Sequence, residues 1–368
     1  MAAYAGTVID CHVHPGQREG VAASAQSVEA LAGNLRAAGI ARAGLVCTFH
    51  STKVTANPGA FIAKHLRPEL FYLLPGLDHS AHISGGELSP PPLAEQLDRL
   101  LALGADGLKL IATKPTHRKV VDRPVDGPYW ADFFARAEER GALLLWHVAD
   151  PEEFWDERAC PRWAQEQGWG YDGSFIAKEA LYAEVAGVLA RHPGLRFIFP
   201  HFYFLSADLP RAAKLLAEHP NAHLDLAPGI ELLYNLSRER EAAREFFVEH
   251  AGRILFGTDI AGSLTPEQSA ERAGLVRRFL ETGDEFRLGE NSDELLGPAA
   301  EGVIRGLDLP FEALRQIYRG NFERLAGARP RPLDASLARE ECLRLAAEAD
   351  ALGAGDNPAR RAAELLAG

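Results

Sequence analysis

Eight short apolar runs, most of them followed by an amphipathic stretch, constrain this chain more than any other feature. They lie at 6–14 (GTVIDCHVH), 42–49 (RAGLVCTF), 70–78 (LFYLLPGLD), 105–113 (ADGLKLIAT), 141–149 (GALLLWHVA), 195–202 (LRFIFPHF), 221–227 (NAHLDLA) and 252–259 (GRILFGTD). Runs this continuously apolar belong to strands buried on both faces, as in a parallel sheet. Between them, SVEALAGNLRAAG (27–39), LAEQLDRLLALG (93–104), WADFFARAEERG (130–141) and ALYAEVAGVLARHP (180–193) carry helical periodicity. Several of these end in Gly or His-Pro, which stop helices. Eight strand–helix repeats predict an α/β fold, the (β/α)8 TIM barrel. The competing open, doubly wound sheet usually places a Gly-rich phosphate loop after its first strand. Here the first run ends in HVHPG instead.

The barrel is expected over residues 1–330, with oversized connections at 79–92 and 150–178. The second of these carries Trp155, Trp163, Trp169 and Tyr171 and follows the fifth strand, on the face where barrels do chemistry. Residues 331–368 read as a helical extension docked on the barrel or used in assembly, and a homo-dimer is expected. A net charge of −12 with no long Lys/Arg run argues against a nucleic-acid partner. No apolar run approaches the roughly 20 residues of a membrane span, and the start lacks signal-peptide character. Four cysteines without a CxxC pair read as free thiols of a reducing cytoplasm.

The strand ends carry the chemistry. His12 and His14 stand one residue apart at the end of the first run, so alternation puts both rings on one face. The fourth run carries Lys109, the fifth ends in His147, the sixth in His201 and the eighth in Asp259. In a barrel these ends meet at one mouth, where a divalent cation would satisfy imidazoles and a carboxylate together. Each residue has a plainer reading. A single strand-end histidine is often just hydrogen-bonded, and Lys109 would equally serve a structural ion pair. Asp259 would serve as a helix N-cap, although Thr265, before Pro266, competes better for that job. It is the coincidence of four strand ends that favours the metal. His50 and His79, after the second and third runs, read as ordinary loop residues.

The pieces VIDCHVH, LLLWHVADP, HPGLRFIFPHF, NAHLDLAP, ILFGTDIAG and IYRGNFERLAG, in this order over about residues 7–327, resemble the metal-dependent amidohydrolase superfamily. The resemblance is to its amidohydrolase-2 branch, which includes aminocarboxymuconate-semialdehyde-type decarboxylases. It implies that His12, His14, His147 and Asp259 bind the metal and that His201 polarises substrate or moves a proton. One Zn2+ is expected, with Mn2+, Fe2+ or Co2+ as alternatives. The position of Lys109 matches the carbamylated lysine of binuclear members. It therefore bears on a second metal, with His201 as that metal's ligand, or on a substrate group.

The expected activity is hydrolysis of an amide, ester or lactone-type bond in a small molecule by a metal-activated water. Asp259 takes the proton and His201 donates to the carbonyl oxygen. The alternative is a lyase, a decarboxylase or hydratase, acting on a carboxylated substrate, aromatic if Trp155 and Tyr203 contact it. Lys114, Arg118, Lys119, Arg158 and Arg162 are candidates to receive its carboxylate.

Overall fold

The computed structural model describes residues 4–16, 24–49, 56–289, 292–297, 302–353 and 357–368, so His50 lies outside the described residues. All eight apolar runs form strands: β1 (Ile9–His14), β2 (Arg42–Val46), β3 (Phe71–Leu74), β4 (Leu108–Thr113), β5 (Leu143–Val148), β6 (Arg196–Phe199), β7 (Ala222–Asp225) and β8 (Ile254–Leu255). A two-residue strand, β9 (Ile260–Ala261), continues the chain beyond β8. The parallel order is β3-β2-β1-β9 in one arc and β4-β5-β6-β7-β8 in the other.

Two seams close the arcs into a cylinder. At the first, Gly76 bridges Lys109, and the Lys109 amide donates to Pro75 O at 2.9 Å. On its other side, a Cβ on Gly76 would sit 2.5 Å from the Cys47 carbonyl at the end of β2, so glycine is required for that close approach. At the second, the Cys11 amide donates to Phe256 O and the Asp259 amide to His12 O, each at 2.9 Å.

Alternate side chains fill the cylinder. Ile9 and Cys11 of β1 cluster with Val46, Leu74, Leu145, Ile198 and Leu255, and Phe322 joins them. Strict alternation from Ile9 and Cys11 would turn His12 and His14 outward. Instead Asp10 pairs with Ala43 and Val13 with Leu45, so β1 carries one extra residue against β2. This bulge resets the phase: Val13 packs with the outer core, and the two histidines turn to the mouth. Strand β4 has a matching irregularity against β5, between Leu110 and Thr113.

The helix Pro266–Glu281 is capped by Thr265, whose side chain accepts from the Gln268 amide in a capping box. Asp259 is therefore released from that job. The helices Ala335–Ala351 and Pro358–Leu365 pack on each other and on the helix Asn57–Leu66. Arg331 is tied back by its amide, which donates to Asp106 Oδ1 at 2.8 Å. The 150–178 connection is ordered around its own small core, in which Phe154, Cys160, Ala164, Tyr171 and Ile230 pack with Trp155, Trp163 and Trp169. All four cysteines are buried and unpaired. Among the described residues, no helix is long and apolar enough to cross a membrane.

Candidate metal centre

His14 Nε2 lies 3.0 Å and His12 Nε2 3.6 Å from Asp259 Oδ1. One ligand-type atom of each of the three residues falls within 4.8 Å of the others. Local backbone enforces this. Asp259 has φ 58°, the left-handed region that costs a non-glycine residue about 1–2 kcal/mol. It is held there by its amide bond to His12 O and by Arg272 Nη1, which donates to its carbonyl at 3.1 Å. Across the same seam, Asp10 Oδ1 accepts from the His12 amide at 2.9 Å and from the Thr258 amide at 3.2 Å. Gly257 completes the approach, since a Cβ there would press on both His12 and Asp225 at 3.3 Å.

The other expected residues stand around this trio. Lys109 Nζ lies 3.5 Å from His12 Nε2. The His201 ring is 5.2 Å from that of His12 and 5.1 Å from that of His147. His147 thus stands one ring further round the mouth than His12, outside the three residues whose ligand atoms converge. His201 follows β6 in an unexpected conformation. The strand ends at Phe199, short of the 202 expected, and His201, Phe202, Tyr203 and Phe204 all take φ between 51° and 59°. Four left-handed non-glycine residues in succession persist only when their surroundings hold them. Here Phe199 stacks on Tyr203 at 4.1 Å, Tyr182 Oη donates to Tyr203 O at 2.9 Å, and Phe204 stacks on His201 at 5.2 Å.

Hydrogen bonding fixes which nitrogens are bare. His201 Nδ1 faces the Ala227 carbonyl at 3.0 Å and His147 Nε2 the Ala149 carbonyl at 2.9 Å. A carbonyl only accepts, so those nitrogens carry the protons, leaving His201 Nε2 and His147 Nδ1 as lone pairs. Burial keeps both rings neutral, pushing His147 down to about 4 and His201, with His147 adding, down to about 3. Burial and the Lys109 ammonium likewise push His12 well below its usual range. In this state His201 is an acceptor, and it can donate only after it has taken a proton. Burial lowers Lys109 to about 8, with Asp225 and Asp259 opposing. Burial alone would raise Asp259, but the hydrogen bond from His14 Nε2 outweighs that and holds it well below the carboxylate range. Bare imidazole nitrogens beside an ionised carboxylate are a donor set that fits a divalent metal of the zinc type.

Asp225, at the end of β7, is the site residue that the strand-end reading passed over. Its Oδ2 is 2.9 Å from His12 Nδ1, and its Oδ1 accepts from the amides of His201 at 2.9 Å and Ala227 at 3.0 Å. The available signal was the single acid at the buried end of NAHLDLA.

Other candidates are occupied by packing. The Tyr203 ring packs against Phe199 and Tyr182 in the core. Trp155 packs on Tyr171 at 4.7 Å and donates to Ile176 O. Lys114 pairs with Asp150 at 2.6 Å, and Asp150 also accepts from Tyr171 Oη, which ties the aromatic connection to the mouth. Arg118 pairs with Glu184 and Arg162 with Glu166, while Lys119 donates to Ser174.

Glu231, in the connection after β7, is 6% exposed, and neither carboxyl oxygen has a hydrogen-bond partner among the described residues. Burial, with Glu153 and Asp150 adding and Lys178 opposing, pushes it up to about 8 from an ordinary 4.5. Between these values the folded chain keeps a proton that the unfolded chain has released, so Glu231 makes stability fall as pH rises through that window. Glu231→Gln has no such proton. Its unfolding free energy relative to the parent, read by chemical denaturation, should rise from pH 5 to pH 8 by at most about 4 kcal/mol. A constant difference across that range would show that Glu231 is ionised in the fold.

An amidohydrolase family model matches residues 9–328. A comparison with curated proteins finds no match. Among solved structures, a protein from Staphylococcus aureus described as an amidohydrolase shares 13% identity, with 88% of this chain and 100% of that chain covered and a TM-score of 0.55. An uncharacterized TIM-barrel protein from Bordetella bronchiseptica shares 15% identity over the same coverage, with a TM-score of 0.51. A probable 2-pyrone-4,6-dicarboxylic acid hydrolase from Acinetobacter baumannii shares 13% identity, again with 88% and 100% covered, at a TM-score of 0.50. At these identities the likeness is one of fold. The family match over nearly the whole chain goes further: with its TIM barrel and its His12–His14–Asp259 cluster, the chain belongs to the amidohydrolase family of metal-dependent enzymes.

Proposed function

We propose that this enzyme hydrolyses an amide, ester or lactone-type bond in a small molecule. His12, His14, Asp259 and, through its bare Nδ1, His147 would hold one divalent cation, for which zinc suits the donor set best. The observation that carries this reading is the convergence of His12, His14 and an ionised Asp259 on one point at the barrel mouth. When bound, such a metal supplies Lewis acidity, which polarises a carbonyl and acidifies water. Asp259 accepts the proton of the attacking water as the new C–O bond forms, and returns it to the departing nitrogen or oxygen as the old bond breaks. His201 Nε2 is positioned as an acceptor that orients the water. Lys109, cationic below about pH 8, is the N–H donor for charge growing on the carbonyl oxygen. The four buried, unpaired thiols support a reducing, cytoplasmic setting for this activity.

The test is a panel of small amides, esters and lactones offered to metal-stripped and zinc-reloaded protein in 18O-labelled water. Turnover should require reloading, and the product acid should carry one heavy oxygen. Release of CO2 from a carboxylated substrate, with no label gained, would instead make the enzyme a lyase.

A further inference from the structure

We propose that Asp225 is a positioning residue that acts on two site histidines at once, one through each carboxylate oxygen; its metal-binding consequence rests on the ligand set proposed above. Oδ2 faces His12 Nδ1 at 2.9 Å, while Oδ1 takes two amide hydrogens. Burial raises Asp225, but those amides and Lys109 oppose it and favour the carboxylate, which only accepts and so selects the His12 tautomer with hydrogen on Nδ1. His12 then presents a bare Nε2 to the point shared with His14 and Asp259. Oδ1 accepts from the His201 and Ala227 amides, at 2.9 and 3.0 Å. The first of these pins the opening residue of the left-handed turn, and the second holds the residue whose carbonyl receives His201 Nδ1 at 3.0 Å. One carboxylate thereby sets the proton on His12, the backbone of His201 and, through Ala227, the proton on His201. Both side-chain rings are buried, so water cannot substitute for these contacts.

Asn cannot reproduce the arrangement. It has one acceptor oxygen, and whichever side receives its NH2 group meets an N–H donor. Asp225→Asn should therefore bind Zn2+ about 10- to 100-fold more weakly, read by competition with a chromophoric chelator, with its far-UV circular dichroism kept. Proton-detected 15N spectra of histidine-labelled, metal-free protein give a readout that a merely structural role would not move. In the parent, His12 should carry its proton on Nδ1; in Asp225→Asn it should shift toward Nε2. Tyr182→Phe removes a different bond to the left-handed turn, at Tyr203 O, and should leave the His12 tautomer unchanged. Parental zinc affinity in folded Asp225→Asn would overturn the proposal. So would a parental His12 protonated on Nε2, a result that stands even if the variant fails to fold. Loss of the hydrolase reading alone would leave the tautomer result intact.

Discussion

Asp259→Asn should lower kcat/KM by about a thousandfold or more, within the range that positioned proton transfer contributes and chiefly through kcat. The substitution removes the charge and the proton-accepting oxygen with almost no change in shape. It also respects the backbone: Asn is among the few residues that tolerate a left-handed φ, and Asp259 sits at 58°. Ala at this position would add strain to the chemical loss, so it is the poorer probe. Thermal unfolding and circular dichroism should stay close to the parent. Zinc titration of the same variant separates the two jobs assigned to Asp259. Retained zinc with lost turnover isolates proton transfer, and lost zinc shows that the carboxylate is also needed as a ligand. Turnover within tenfold of the parent would remove Asp259 from the mechanism.

The largest stability effect is expected far from the mouth. Lys64 Nζ pairs with Asp106 Oδ2 at 3.0 Å, and both side chains are fully buried. Asp106 also accepts from the Leu73 and Arg331 amides, each at 2.8 Å, joining the helix Asn57–Leu66, β3 and the segment that follows the barrel. Lys64→Met would leave a buried carboxylate without its counter-charge, which costs about 3–5 kcal/mol. Chemical denaturation should show that loss. Neutralising both partners, as Lys64→Met with Asp106→Asn, should recover part of it, because the uncompensated charge is then gone. A single variant as stable as the parent would mean that Asp106 is already neutral in the fold.

Much of the fold was legible because parallel barrel strands are apolar on both faces and so stand out as blocks between amphipathic helices. His12, His14 and Asp259 were legible because ligand-type residues at apolar strand ends need a shared partner. Their facing was not legible. Pairing His12 with His14 followed from alternation, but turning both into the mouth depends on the extra residue between Asp10 and Val13, a tertiary feature of the β1–β2 register. The end of β6 was misplaced for a related reason. Residues 201–204 run against local conformational preference and are held by Asp225 and Tyr182 from elsewhere in the chain, together with stacking on Phe199 and Phe204. The direction of His201 followed from the same contacts: Ala227 O takes its Nδ1 proton, so the expected donor presents a lone pair. The aromatic connection at 150–178 was visible as a loop, while its inward packing on Phe154 and Tyr171 emerges only from the folded chain.

The most direct test is diffraction from zinc-loaded crystals at the zinc absorption edge. A single anomalous peak within bonding distance of His12 Nε2, a His14 ring nitrogen and the Asp259 carboxylate is expected. A peak bound elsewhere, or none at this cluster in protein that holds stoichiometric zinc, would contradict the assignment of the barrel mouth as the metal centre.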